Sequence, residues 1–395
     1  MLDVEKKTQF SQILGHLADS LDIPESRYKE AVEKYKAVGK WLGKGDSPLA
    51  LFAPDVYPQG SFNLGTVVKP VIREDEYDID LVCHLNIRKT QITQQQLKKM
   101  IGDRLKASKV YAEMLDVEGR RCWTLNYADG AKFHMDILPA VPDDFNWLIG
   151  LGVPYDLAKY AICITDKERW HVDPDWPRSN PKGYAQWFRQ RMITIFESQR
   201  RFLAKQLRAN VEDVPEYQVK TPLQRAIQIL KRHRDIMFGK DHDDKPIAII
   251  ITTLAAHAYN NETDLYDTLI SIARGMPEHI QNQNGILWVP NPVDPRENFA
   301  DKWREYPNRS VKFKGWLIQV EKDITAALEV RGIDKIAASL EPSFGENSLN
   351  KAMNNYGENI RKQRQSGMLK MTAGTGTLGA AGQTNVRGHT FYGDQ

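Results

Sequence analysis

Apolar residues recur at helical spacing between Phe10 and Trp41. Ile13, Leu14 and Leu17 mark a first helix, and Tyr28, Ala31, Val32 and Tyr35 mark a second that begins after Pro24. The pattern then shortens to alternation. Asp55 to Tyr57 and Thr66 to Lys69 predict short strands around Gly60-Ser61, and Tyr77 to Leu85 predicts a stronger one. A helix is expected from Gln94 to Ser108. Cys122 to Tyr127 and Ala131 to Leu138 are two alternating runs separated by Ala128-Asp129-Gly130, a turn signal that predicts an antiparallel hairpin. These elements make a small mixed sheet with flanking helices.

Beyond Pro142 the pattern changes. Asp166 to Lys182 is crowded with Trp, Pro and Asp, which predicts an ordered loop that crosses between lobes. Helical spacing returns at Tyr184 to Asn210, Thr221 to Phe238, Ile247 to Asn260 and Trp316 to Arg331, with Pro222 at a favoured first-turn position. The class is therefore α+β in two lobes: residues 1–165 as the sheet lobe with its N-terminal helices, and residues 166–365 as a helical bundle lobe. Residues 366–395 hold seven glycines and little charge, and are expected to stay disordered.

Alternation gives the first chemical signal. In Tyr77-Asp78-Ile79-Asp80-Leu81 both aspartates fall on one strand face while the apolar residues take the other; Phe133-His134-Met135-Asp136-Ile137 repeats the pattern. Carboxylates converging from neighbouring strands repel, and desolvating them is costly unless divalent cations lie among them. Mg²⁺, with Mn²⁺ as an alternative, suits such oxygen ligands and a substrate's phosphates. Upstream, Gln59-Gly60-Ser61 offers a glycine turn and a hydroxyl that can approach a phosphate chain. Asp78, Asp80 and Asp136 are thus the candidate catalytic and metal-binding residues, with Gln59, Gly60 and Ser61 as nucleotide contacts. His84 and His134 share the aspartates' face and are taken as hydrogen-bonding neighbours.

Composition narrows the setting only slightly. A net charge of +3 over 395 residues neither requires nor excludes an anionic partner. The three cysteines, Cys83, Cys122 and Cys163, are widely spaced and suit a reducing, cytoplasmic location better than a disulfide framework. The absence of a signal core or a long apolar run argues against membrane insertion. The basic clusters at residues 231–234 and 361–364 lack interleaved aromatics, and no nucleic-acid activator is expected.

The order Gly60-Ser61, Asp78-x-Asp80, Asp136 resembles the signature of the DNA polymerase β superfamily of nucleotidyltransferases. Pro58-Gln59-Gly60-Ser61-Phe62 together with Tyr77-Asp78-Ile79-Asp80-Leu81-Val82 resembles the bacterial CD-NTases, the cGAS/DncV-like nucleotidyltransferases. The likeness continues through residues 221–231, 249–257 and 291–299. It implies a bilobal polymerase β-like fold and a synthase that binds ATP and other NTPs between its lobes, joining them into a cyclic di- or trinucleotide with release of pyrophosphate. It also implies a place in antiphage defence, an effector that acts through the product, and a regulatory partner protein. By the same likeness Lys231 would reach a triphosphate; read on its own, it is equally a solvated or salt-bridged lysine. Family members often carry a serine where this chain has Ala248, leaving Thr252 and Thr253 as the nearest hydroxyls, and Thr252 is taken as a nucleotide contact. Two alternatives are transfer of a nucleotide to an RNA or protein acceptor, which the same carboxylates would serve, and nucleotide sensing without catalysis, against which the three intact carboxylates count.

Overall fold

The computed structural model describes residues 4–71, 77–127, 133–171, 175–372, 376, 378–379 and 382–386. The chain begins with α1 (Val4–Leu21), α2 (Glu25–Leu42), β1 (Asp55–Pro58), α3 (Gly60–Leu64), β2 (Tyr77–His84), α4 (Gln94–Lys106), α5 (Lys109–Met114), β3 (Trp123–Tyr127) and β4 (Phe133–Pro142). It continues through α6 (Asn146–Gly150), α7 (Tyr155–Ala158), β5 (Ile162–Ile164), β6 (Arg178–Ser179), α8 (Pro181–Leu207), α9 (Pro222–Met237), α10 (Ala248–Ala258) and α11 (Leu265–Gly275). Two short hairpins follow, β7 (Gln281–Gln283) with β8 (Ile286–Trp288) and β9 (Pro290–Asn291) with β10 (Asp294–Asn298). Last come α12 (Lys302–Glu305), α13 (Asn308–Glu329), α14 (Ile333–Phe344), α15 (Glu346–Gln365) and the two-residue strands β11 (Lys370–Met371), β12 (Leu378–Gly379) and β13 (Thr384–Asn385).

These elements form two compact units, one of Ile23–Ile193 with Pro290–Phe299, the other of Met1–Asp22, Thr194–Val289 and Ala300–Gln395. Their outline departs from the expected division at residue 165. Helix α1 belongs to the helical unit, because its stripe of Phe10, Ile13, Leu14, Leu17 and Leu21 is buried against α15, α9 and α11. The β9–β10 hairpin, far along the chain, groups with the sheet.

In the sheet unit the strand order is β1-β2-β4-β5-β6, with β3 also paired to β4. Strands β2 and β4 run parallel, while β1 and β3 pair antiparallel to them. One face buries Ile79, Leu81, Phe133, Met135, Ile137 and Leu125 against Leu97, Ile101 and Leu105 of α4 and Val38 and Leu42 of α2. Helix α4 starts on a capping box, Thr93 with Gln96, and is held close to the sheet by Gly102. A Cβ at Gly102 would lie 2.2 Å from the Trp123 ring. The indole nitrogen donates to Lys98 O at 2.9 Å, so the ring has little freedom to yield.

The β3–β4 hairpin has the antiparallel pairing expected; its turn, Ala128-Asp129-Gly130, lies outside the described residues. The expected strand at Thr66 to Lys69 does not form. Helix α3 closes on Gly65 at φ 66°, and Thr66 N donates to Ser61 O at 3.0 Å, which bends the chain into a turn where a strand would run straight. Helix α13 begins at Asn308, a full two turns before the expected start at Trp316. Nor is all of residues 366–395 irregular. The described part forms an antiparallel sheet of order β12-β11-β13, in which Gly382 lets the chain pass the Met371 backbone, where a Cβ would approach within 2.6 Å.

In the helical unit the buried His233 has a partner on each ring nitrogen. Its Nε2 pairs with Asp323 at 3.0 Å and its Nδ1 accepts from Trp316 Nε1 at 3.1 Å, so the ring is neutral, in keeping with a pKa that burial lowers. Ser343 and Gln319 donate to the same carboxylate at 2.6 Å each.

Gly102→Ala is expected to force the Trp123 ring outward and lower the unfolding free energy by about 1–3 kcal/mol, measured by urea denaturation. An unchanged midpoint would contradict the packing described.

Candidate active site

The second face of the sheet is polar at one end. In the parallel ladder Asp80 stands opposite Asp136 and Asp78 opposite His134. Strand β3 extends the row from the other side of β4, with Thr124 opposite Asp136 and Asn126 opposite His134. Asp78 is exposed, whereas Asp80, Thr124, Asn126, His134 and Asp136 are half-buried. Further along the same face Val82, Leu138, Ala140, Ile162 and Ile164 close into a small apolar cluster, a dry floor beside the carboxylates.

Two hydrogen bonds order this row. Thr124 Oγ1 donates to Asp136 Oδ1 at 2.5 Å, and His134 Nδ1 lies 2.7 Å from Asn126 Oδ1, which assigns the ring proton to Nδ1. His134 is thereby the hydrogen-bonded neighbour anticipated. His84, opposite Asp55 on β1, has its pKa lowered by burial.

Asp80 bears the strain of the arrangement. Burial, then the negative charge of Asp136 and of Asp78, raise its pKa to about 6. Asp136 and Asp80 in turn assist burial in pushing the Cys122 thiol up to about 12. Hard oxygen donors that oppose one another's ionisation fit a divalent cation. Among the described residues no three His, Cys, Asp or Glu groups form a ready-made metal cage. For Mg²⁺ that is the usual case, since it is commonly held by one or two carboxylates, water and substrate phosphates.

The Gly60 turn is built against the carboxylates. Gln59 N donates to Asp80 O at 2.8 Å, tying the turn to β2 just where β1 ends. Gly60 has φ 61°, and a Cβ there would lie 2.6 Å from Asp80 Oδ2. The left-handed backbone favours glycine, and any side chain there would have to displace the Asp80 carboxylate. Ser61 follows in the first turn of α3, half-buried.

The structure thus places Gln59, Gly60, Ser61, Asp78, Asp80 and Asp136 in the sheet unit, with the Gln59-Gly60 turn against Asp80 and Asp80 opposite Asp136, while Asp78 stands opposite His134. On that face Ile164, opposite Ala140, also lines a cavity of about 520 Å³ with Lys89, Arg121, Arg178, Asp294 and Arg296. Arg178 and Lys89 share the buried Asp143, at 3.1 and 2.6 Å. Sequence reasoning passed over Thr124, Lys89 and Arg121, and marked Asp294 and Arg296 only as part of the 291–299 likeness. Thr124 was accessible to it in principle: once the hairpin is paired in register, the polar positions of Cys122 to Tyr127 fall beside those of β4.

Lys231 and Thr252 lie in the helical unit, on α9 and α10. Lys231 is 5% exposed, which overturns its reading as a solvated surface lysine. Burial, and secondarily Arg234, lower its pKa to about 7. Thr252 is buried, and its hydroxyl donates to Ala248 O at 2.9 Å, so its proton is committed to its own helix. The unfolded chain keeps Lys231 protonated up to its ordinary pKa near ~10. The cost of burying it is therefore full below about pH 7 and fades as pH rises above that. Lys231→Met is expected to raise the melting temperature at pH 6–7 and to flatten its rise between pH 7 and 10; a variant no more stable than the parent would contradict the buried placement.

Residues 54–139, spanning β1 to β4, match the family model described as the nucleotidyltransferase domain of cyclic GMP-AMP synthase DncV-like proteins. The chain is 28% identical over 391 residues to a c-di-GMP synthase of Roseivirga ehrenbergii, covering 98% of each. It is 27% identical over 420 residues to the cyclic dinucleotide synthase CdnG of Bradyrhizobium diazoefficiens, covering 97% of this chain and 94% of that one. The solved structure of that CD-NTase in complex with GTP superposes with a TM-score of 0.68 at 24% identity, covering 88% of this chain and 99% of the other. The carboxylates, the glycine turn and the strands that carry them lie inside or beside the stretch matched by the DncV-like nucleotidyltransferase domain, and over nearly its whole length the chain is similar to these cyclic dinucleotide synthases.

Proposed function

We propose that this protein is a cyclic oligonucleotide synthase, joining nucleoside triphosphates into a cyclic dinucleotide with release of pyrophosphate. The observation that carries the reading is the register of β2 on β4, which sets Asp80 opposite Asp136 beside the left-handed turn at Gly60. The names of the two relatives favour a cyclic dinucleotide over a linear or macromolecule-attached product. GTP in the CdnG complex makes a guanine nucleotide the first substrate to try.

Asp78, Asp80 and Asp136 would hold Mg²⁺ or Mn²⁺, which when bound supplies neutralising charge to the triphosphate and makes a ribose hydroxyl easier to ionise. Asp136 is proposed as the group that takes the proton of the attacking hydroxyl. The oxygen then bonds to the α-phosphorus of a second nucleotide, and the bond to pyrophosphate breaks. A second attack of the same kind closes the ring. The turn at Gln59, Gly60 and Ser61 is proposed to receive the departing phosphates, and the arginines of the neighbouring cavity suit an anionic nucleotide. The triphosphate contact of Lys231 rests on family likeness alone.

Incubating the protein with all four NTPs and Mg²⁺ or Mn²⁺, then with phosphatase, should leave a resistant product whose mass identifies the bases. Asp80→Asn should abolish it. That variant should nonetheless be more stable than the parent. A carboxyl whose folded pKa is raised to about 6 loses stability as pH rises from its ordinary value near ~4, and carries the full cost above 6. The expected gain at neutral pH is about 1–3 kcal/mol. A linear or protein-linked product would point to another acceptor, and product made by the variant would overturn the site.

A further inference from the structure

We propose that Thr124 is a positioning residue for Asp136, fixing the carboxylate through the hydroxyl it donates from the neighbouring strand. The proposal rests on the reading of Asp136 as the group that takes the substrate's proton.

Asp136 lies between two strands and has a different neighbour on each side. On the β2 side stands Asp80, another carboxylate, which repels it when both are ionised. On the β3 side stands Thr124, directly opposite in the antiparallel ladder, with its Oγ1 2.5 Å from Asp136 Oδ1. At that length the contact is in the range of an O–H donating to an ionised carboxylate, among the stronger hydrogen bonds available to a neutral side chain. It occupies one carboxylate oxygen, fixes the plane of the group, and leaves the other oxygen for the reacting atoms.

Threonine is also suited to the task by its backbone. Its branched Cβ restricts rotation about χ1 on a strand, so the hydroxyl is aimed with little loss of freedom. Trp123 and Leu125 are buried on the opposite face and prevent β3 from rolling, and the next pair along the ladder, Asn126 with His134, is hydrogen-bonded as well. The hydroxyl is therefore presented by a rigid strand.

The test compares Thr124→Val, which keeps the branched shape and removes the hydroxyl, with Thr124→Ser, which keeps the hydroxyl. Thr124→Ala is a second hydroxyl-free variant should the valine form fail to fold, and Asp136→Asn is the control. The valine variant is expected to lose about 10–100-fold in kcat with KM for the triphosphate within about twofold, and the serine variant to recover to within about threefold of the parent. A crystal structure of the valine form should show the Asp136 carboxylate rotated from its present plane. A valine variant with parental kcat and an unmoved carboxylate, alongside an inactive Asp136→Asn, overturns the positioning role and leaves the functional reading intact. An active Asp136→Asn removes the reading itself.

Discussion

Two carboxylates held opposite one another on adjacent parallel strands repel, and much of the sheet unit serves to stop them separating. The register that opposes Asp80 to Asp136 cannot slip by one residue, because the strand that slipped would turn its own apolar residues, Ile79 and Leu81 on β2 or Met135 and Ile137 on β4, out of the core and bring aspartate in. Helices α2 and α4 cover the apolar face, and Gly102 lets Trp123 fill the space between α4 and the strands. The core thus holds in place charges that would otherwise move apart. Burial first, and then the charges of Asp136 and Asp78, raise the pKa of Asp80, and a cation with a triphosphate is a natural means of offsetting both.

The surrounding polar groups follow from the same constraint. Gly60 approaches Asp80 more closely than any side chain would permit, so the turn and the carboxylate share one small volume. Thr124 gives Asp136 a hydrogen bond on the side away from Asp80. Stability and function pull in opposite directions at these positions, as expected where a site is assembled before its ligand arrives.

The site was legible in the sequence to the extent that it depends on strand alternation. Period-two spacing put Asp78 and Asp80 on one face, set Asp136 on a neighbouring strand, and left the core face apolar, all without knowledge of the fold. What depends on strand pairing was harder to read. Thr124 acquires its role only when β3 is laid beside β4, and a lone threonine in an alternating run gives no signal of that. Lys231 was undecided because the stripe of Leu223, Ala226, Ile227 and Leu230 does not reveal that α9 is covered on more than one side, as the burial of Gln224, Gln228 and Lys231 shows. The assignment of α1 failed for a related reason: an amphipathic helix states which face it buries but not against what, and α15, its chief neighbour, lies at the far end of the chain. At Thr66 local turn geometry after Gly65 prevailed over residues that favour strands.

The central claim is that the opposed carboxylates form a divalent-cation site completed by a nucleoside triphosphate. The most direct measurement is anomalous diffraction from crystals soaked with Mn²⁺ and a non-hydrolysable GTP analogue. The account predicts Mn²⁺ bound by Asp80 and Asp136 together with the triphosphate, and its loss in Asp80→Asn. Nucleotide bound with Mn²⁺ absent from these carboxylates, or Mn²⁺ held elsewhere with the phosphates, would contradict it.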